Sequence, residues 1–339
     1  MTRKKTFVFG YCLLLSFTLT AQSIDSVRLL QEVVVEQSRL GEYAISRYTL
    51  TPDSAMLGFS RGGNLADLLR KNGFGGIRSY GPGGLASASF RGSGSNHTNV
   101  LWNGINIISP LAGQTDLSQL PVTFFDDASV QTGGSASLYG NGSIGATVSL
   151  NNTARFNQGL TTKTFSSIGS FGYGFQDAAL QWSGKKFISS TKAFIMQAEN
   201  NFTFHNKNVN PARTDTRLNN AARQYGVLQQ NYWQLAPRHM LWAKFWFQNN
   251  HYEVPNTSLS NRPGEATQKD ISYRSLLGYS WSGNQIDFTY QGAFVQQSLD
   301  FRDPALNDLT SSNVFYSLIQ NAEVSTTLFS TGRLTSGVH

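Results

Sequence analysis

From about Thr153 onward, apolar and polar residues alternate in long runs. In "ISYRSLLGYSW" one face carries Ile271, Tyr273, Ser275, Leu277, Tyr279 and Trp281, and the other Ser272, Arg274, Leu276, Gly278 and Ser280. "IDFTYQGAF" sets Ile286, Phe288, Tyr290, Gly292 and Phe294 opposite Asp287, Thr289, Gln291 and Ala293. "LWAKFWF" sets Leu241, Ala243, Phe245 and Phe247 against Trp242, Lys244 and Trp246. A period of two over such lengths predicts β-strands whose faces meet different surroundings. The connections alternate as well. Tight turns are expected at Gly184-Lys185, Pro237-Arg238 and Gly283-Asn284, and long polar loops over Asn206–Arg223, Glu253–Lys269 and Arg302–Asn313. Short turns on one side and long loops on the other, with aromatic strand ends, predict a transmembrane antiparallel β-barrel, whose strands need ~9–11 residues to cross. Strands in soluble sandwiches are about half that length. The pattern predicts about eight strands and the start of a ninth, so the barrel is expected to be incomplete and the chain to stop part-way round it, at "TSGVH".

Residues 49–152 have a different texture. Asn64 is placed to cap a short helix with Leu65, Leu68 and Leu69 on one face, ended by Asn72-Gly73. Short strands are expected at Ser87–Phe90, Thr98–Trp102, Asp127–Thr132 and Val148–Leu150, separated by long loops at Tyr80–Leu85 and Ile108–Gln114. This is a small α/β domain. Before it, residues 1–21 read as a signal peptide: Arg3, Lys4 and Lys5, then an apolar core from Phe7 to Thr20, then Ala21. Residues 22–48 are polar apart from "LQEVVVEQSR", a portable β-strand.

Composition fits this reading: charged residues are 14% and aromatics 12% of 339 residues, with 32 glycines. Removing the leader takes the formal net charge from +7 to +4, and no basic run is dense enough for nucleic acid. The single Cys, Cys12, falls in the leader. The five histidines have no metal-ligand spacing, and "GNGSIG" puts Gly142 directly beside Ser143, which breaks a nucleophile elbow. "GSGSNH" after Arg91 lacks the spacing of a dinucleotide loop. No enzyme activity, cofactor or metal site is expected.

"FRGSGSNHTNVLWNGI", followed by "TDLSQLPVTFFDDASVQTGGSASLYGNGSIGATVSLNN", resembles the plug domain of TonB-dependent outer-membrane receptors. The matching positions are Arg91-Gly92, Asn103-Gly104, Leu138-Tyr139-Gly140 and Gly145. Around the glycine after the penultimate plug strand, where the family usually carries Arg and Pro, this chain has Thr132 and Gly134, so one charge lock to the wall is missing or displaced; Arg91 keeps another. The resemblance implies a mainly β protein: a small α/β plug domain (residues 49–152) followed by the first strands of the barrel (153–339). It implies that the Gly-Ser loops let the plug backbone pack against the inner wall. It further implies a TonB box at Leu30, Gln31, Glu32, Val33, Val34 and Val35, which would add as a strand to the sheet edge of the energy-coupling protein TonB. "TDLSQLP" and "VLWNGINI" are most similar to the cobalamin receptor group. By position, Tyr80, Gly81, Leu85, Ser109, Leu111 and Gln114 would face substrate. The function implied is active import of a scarce large nutrient, cobalamin-like or a metal chelate, across the bacterial outer membrane. The partners implied are TonB, outer-membrane lipid and a large small-molecule ligand, with a surface lipoprotein left open. A passive adhesin or structural barrel with an immobile plug is the alternative.

Overall fold

The computed structural model describes residues 49–74, 76–80, 84–133, 144–259, 264–328 and 332–338. The expected leader, the segment with the TonB box, Gly81 and Leu138-Tyr139-Gly140 lie outside the described residues.

The N-terminal unit is built on a five-stranded sheet. Its members are β1 (Thr49–Leu50), β4 (Thr98–Trp102), β5 (Ile105–Asn106), β6 (Asp127–Thr132) and β7 (Ala146–Asn151). They run in the order β1-β6-β7-β4-β5, with only β4 and β7 parallel. A separate hairpin joins β2 (Ile77–Ser79) to β3 (Ala86–Ala88). The strand expected at Ser87–Phe90 starts and ends earlier. The pairing stops at Ala88↔Ile77 because Gly76 turns away at φ +79°, and Phe90 drops into the core instead.

Helix α1 (Ser54–Phe59), which local pattern did not reveal, is capped by Asp53, whose carboxylate accepts from the Met56 amide at 2.7 Å. Helix α2 (Leu65–Lys71) forms as expected: Asn64 Oδ1 accepts from the Asp67 amide at 3.1 Å, and Leu65, Leu68 and Leu69 are buried. Arg91-Gly92 and Asn103-Gly104 are both two-residue turns with positive φ at each position (52° and 76°; 48° and 84°), a backbone that Asn-Gly adopts at little cost.

The second body is a nine-stranded antiparallel sheet in simple up-and-down order, here called the wall. Its strands are β8 (Gly159–Ile168), β9 (Gly174–Ser183), β10 (Phe187–Ala198), β13 (Ala222–Ala236), β14 (His239–Val254), β15 (Ala266–Ser282), β16 (Ile286–Asp303), β17 (Leu309–Leu328) and β18 (Gly332–Val338). A small hairpin of β11 (Thr203–Asn206) and β12 (Arg213–Thr216) stands in the connection from β10 to β13. The strands from β13 to β17 are 15 to 20 residues long, beyond what a membrane crossing needs. The expected long loop at Arg302–Asn313 shrinks for that reason. β16 and β17 stay paired up to Asp303↔Leu309, leaving residues 304–308 as the connection.

The wall's two faces differ as the alternation demands. Outward positions form two aromatic bands. Near the tight turns, Trp182, Phe187 and Trp233 follow one another at 5.8 and 5.5 Å, and His239 and Tyr279 continue the band. Toward the long loops, Tyr225, Phe247 and Tyr273 are spaced at 6.2 and 5.2 Å. Tyr273 and Trp281, one in each band on β15, are separated by about 27 Å of strand. At a tilt of about 40° that is a height of roughly 20 Å, close to the apolar band of a membrane barrel. Leu277, Phe294 and Leu318 fill the interval and are exposed. Inward positions carry Lys192, Gln230, Lys244, Gln248, Ser272, Arg274 and Gln291, all buried against the N-terminal unit.

Candidate functional site

The joint between the two bodies centres on Asn103 and Asn152. The Asn103-Gly104 turn holds the Asn103 amide group beside β7, where the Asn103 amide N–H donates to Leu150 O at 2.9 Å. Asn103 Oδ1 accepts from the Asn152 amide at 3.0 Å and from Lys244 Nζ at 2.6 Å. Asn152 Oδ1 in turn accepts from Asn103 Nδ2 at 3.0 Å and Trp102 Nε1 at 3.2 Å, while its Nδ2 donates to Phe124 O at 2.6 Å. The wall meets this pair from three strands, through Tyr232 on β13, Lys244 on β14 and Gln291 on β16, while Lys192 on β10 donates to Phe124 O, the carbonyl that Asn152 Nδ2 also reaches. Buried amides and cations of this kind persist only when satisfied, so the node fixes one register between the bodies.

Apolar packing surrounds it. Trp246, fully buried on the wall, receives Trp102, Phe124 and Phe125 edge-on at 5.4, 5.8 and 5.7 Å. Gly226 makes room for this. A Cβ there would lie 2.7 Å from Phe247 O and 3.4 Å from the Phe124 ring.

Among the described residues, two ion pairs cross the joint. Arg61 Nη2 and Nε reach Asp177 Oδ1 and Oδ2 at 2.5 and 2.9 Å, a two-point grip on a carboxylate with no exposed side-chain surface. Lys192 Nζ reaches Asp126 Oδ1 at 2.5 Å. Arg91, expected to lock onto the wall, donates to Thr132 Oγ1 at 3.1 Å within its own unit. The Gly-Ser loop that follows it packs closely on Gly145 of the same unit. A Cβ on Gly145 would meet Ser93 Oγ at 2.2 Å, so this glycine lets the two loops close on each other.

Among the residues expected to face substrate, Tyr80 is 73% exposed, Leu85 42% and Leu111 38%. Ser109 and Gln114 bridge across their own turn. The two loops share a root: Asp116 Oδ1 accepts from the Ala86 amide, where the first loop ends, and from the Ser118 amide, just past the second, both at 2.9 Å. Burial pushes the Asp116 carboxyl up to about 6, the two backbone donors opposing the rise. One turn on, Gln119 Nε2 donates to Asp270 Oδ2 at 2.8 Å and Tyr252 Oη at 3.0 Å, tying this root to the long-loop end of β14 and β15.

The alternation in "LWAKFWF" set Lys244 on the face shared with Trp242 and Trp246, but Arg61, Asp126, Asn152, Asp177 and Lys192 carried no local sign of their role. Each becomes a joint residue only through a partner far away along the chain.

The family description "TonB-dependent Receptor Plug Domain" matches residues 51–147. That segment of the chain is a plug domain by this match. Over 93 residues it is 37% identical to a protein named vitamin B12 transporter BtuB from Vibrio cholerae, covering 27% of this chain and 15% of that one. A protein of the same name from Vibrio vulnificus is 30% identical over 135 residues, covering 39% and 21%. Among solved structures, the ferric-catecholate import receptor Fiu from E. coli aligns with a TM-score of 0.64 at 11% identity, over 86% of this chain and 48% of that one. A mutant of the ferric enterobactin receptor PfeA from Pseudomonas aeruginosa aligns at 0.63 and 14%, over 85% and 48%. The chain thus spans about half the length of these receptors. The structural matches establish the fold, a plug followed by barrel wall, and the sequence matches place the plug near the cobalamin receptor group.

Proposed function

We propose that this chain forms the plug and leading wall of an energy-coupled importer that carries a scarce large nutrient, cobalamin-like or a metal chelate, across the bacterial outer membrane. The observation that carries the reading is the pairing of faces. One side of the wall offers aromatic-bounded apolar surface for lipid, and the other is polar and occupied by a separate folded unit. Such a unit is a stopper, and a stopper in a transporter must be movable. The plug is suited to that. It enters its sheet through the two-residue edge strand β1, so a pull on the segment before Thr49 would meet few hydrogen bonds first. The similar proteins are named as a vitamin B12 transporter and iron-chelate receptors, which favours a cargo of that size. Tyr80, Leu85, Ser109, Leu111 and Gln114 would meet the cargo from outside, and Leu30–Val35 would be the strand offered to TonB.

The test is uptake by cells carrying the chain with Glu32–Val35 deleted, measured with radiolabelled cobalamin and ferric chelates. Retained surface binding with lost uptake is expected. Uptake that persists unchanged after the deletion overturns the proposal.

A further inference from the structure

The wall's inner face carries a surplus of buried cations at mid-height. Two adjacent cross-strand rows run Ser190–Gln230–Lys244–Leu276–Ala293 and Lys192–Leu228–Trp246–Arg274–Val295. They hold Lys192, Lys244 and Arg274, all less than a tenth exposed, and none of their members is a carboxylate. Wall carboxylates on the inward face stand elsewhere among the described residues. Asp177 is taken by Arg61, and Asp270 sits toward the long loops in the grip of Gln119, Tyr252 and Gln268. Asp287 and Glu323 lie toward the tight turns of β16 and β17.

What answers these cations comes largely from the plug, and only one answer is charged. Asp126 pairs with Lys192 at 2.5 Å and lies within electrostatic reach of Lys244. Lys244 itself bonds a neutral amide, Asn103 Oδ1, and rides over the Tyr232 ring at 5.2 Å. Arg274 lies over the Trp246 ring at 4.3 Å, donates to Ser272 Oγ at 2.8 Å, and leaves its Nε without a partner. Burying a cation without a counter-charge is unfavourable, and replacing it by an apolar residue is often neutral or stabilising. Stability therefore does not explain three of them in two neighbouring rows. Their surroundings change completely once the plug moves. Asp126 leaves with it, and the three cations then line a water-filled passage, where clustered Lys and Arg favour anions.

We infer that Lys192, Lys244 and Arg274 form an anion-selective stripe in the passage that plug displacement opens, and that the cargo is anionic, bearing carboxylate or phosphate groups that take the place of Asp126. The inference rests on the importer reading. It adds the charge class of the cargo and the residues that select it.

The test uses the receptor purified from outer membranes in planar bilayers, with urea on one side to displace the plug. Reversal potential in a potassium chloride gradient gives the chloride-to-potassium permeability ratio, and citrate serves as the probe anion. A chloride preference blocked by citrate is expected. The triple variant Lys192→Gln, Lys244→Gln, Arg274→Gln should lose both the preference and the block. Because that variant removes hydrogen bonds to the plug, Arg274→Gln alone, whose hydrogen bond and ring contact are both with wall residues, should move the ratio part of the way. A potassium preference in the unmodified receptor, a ratio indifferent to both variants, or no current on plug displacement overturns the inference. Anion preference together with uptake indifferent to deletion of Glu32–Val35 sinks energy coupling and leaves the stripe standing. Energy-coupled uptake without anion preference does the reverse.

Discussion

The Arg61–Asp177 pair allows a quantitative test of how the plug is held. Asp177 projects from β9 with its carboxylate wholly enclosed, and Arg61, just after α1, grips both oxygens at 2.5 and 2.9 Å. Asp177→Ala removes the charge on the buried side and leaves the guanidinium facing an apolar gap. Breaking a fully buried pair from one side costs about 3–5 kcal/mol. Arg61 keeps 23% of its side-chain surface exposed, so it can recover part of its hydration. That discount brings the cost to about 2–3 kcal/mol. Its contact with the Phe165 ring, 6.0 Å away, survives the substitution and recovers little more.

The cost falls on the segment that Arg61 anchors. Arg61 N–H bonds Gly58 O, Gly63 N–H bonds Ser60 O at 2.8 Å, and Leu65 N–H bonds Leu120 O at 2.8 Å. If local opening of this segment releases the ion pair, 2–3 kcal/mol raises the open fraction by roughly 30- to 150-fold. Hydrogen exchange of these amides, read by mass spectrometry on receptor in outer-membrane vesicles, should accelerate by that factor while amides of β14 hold their rates. The double variant Arg61→Ala, Asp177→Ala should exchange no faster than Asp177→Ala alone, since the partner is already lost. Acceleration below about threefold in Asp177→Ala, or full additivity with Arg61→Ala, would show that the pair does not hold the plug.

Two further outcomes follow from the same joint. Asp116 is held up to about 6 by burial, above the ordinary 3.8, so the folded state binds a proton that the unfolded chain does not between those values. Its contribution therefore favours folding at low pH and is lost as pH rises from about 4 to 6, by at most ~3 kcal/mol. Asp116→Asn keeps an acceptor for the Ala86 and Ser118 amides without the charge, so thermal melts at pH 5 and pH 7 should differ less in the variant than in the parent; an equal difference refutes the assignment. Asn152→Ala strands the Trp102 and Asn103 side-chain donors in a closed site, at about 1–3 kcal/mol for each group. A urea midpoint for plug unfolding within error of the parent would exclude Asn152 as the centre of the joint.

The gating idea needs a joint that is specific yet separable, and the balance of forces supplies one. Trp102, Phe124 and Phe125 around Trp246 add non-directional attraction that excludes water. The amide node and the two ion pairs add register. Their polar groups exchange protein partners for water when the joint opens, so separation loses far less than the enclosed hydrogen bonds alone would suggest. An oily joint of the same area would have no such compensation.

Alternation alone was enough to place the wall. Leu241–Phe247, Ile271–Trp281 and Ile286–Phe294 each lie in a strand with the expected faces, because a strand's two sides are written at every second residue. The Asn64 cap was legible for the same reason: its chemistry is complete within a few residues. The loop read at Arg302–Asn313 was misplaced because a strand that has left the membrane has no apolar side to show, while its backbone ladder continues to Asp303↔Leu309. Only the tertiary structure decided the joint. Arg61 meets Asp177 across 116 positions, Asp126 meets Lys192 across 66, and Asn103 meets Lys244 across 141. No local period encodes which inward residue finds which plug residue, since that depends on where the folded plug sits within the curve of the wall. The partner of Arg91 was likewise not legible locally: its guanidinium donates to Thr132, 41 positions away.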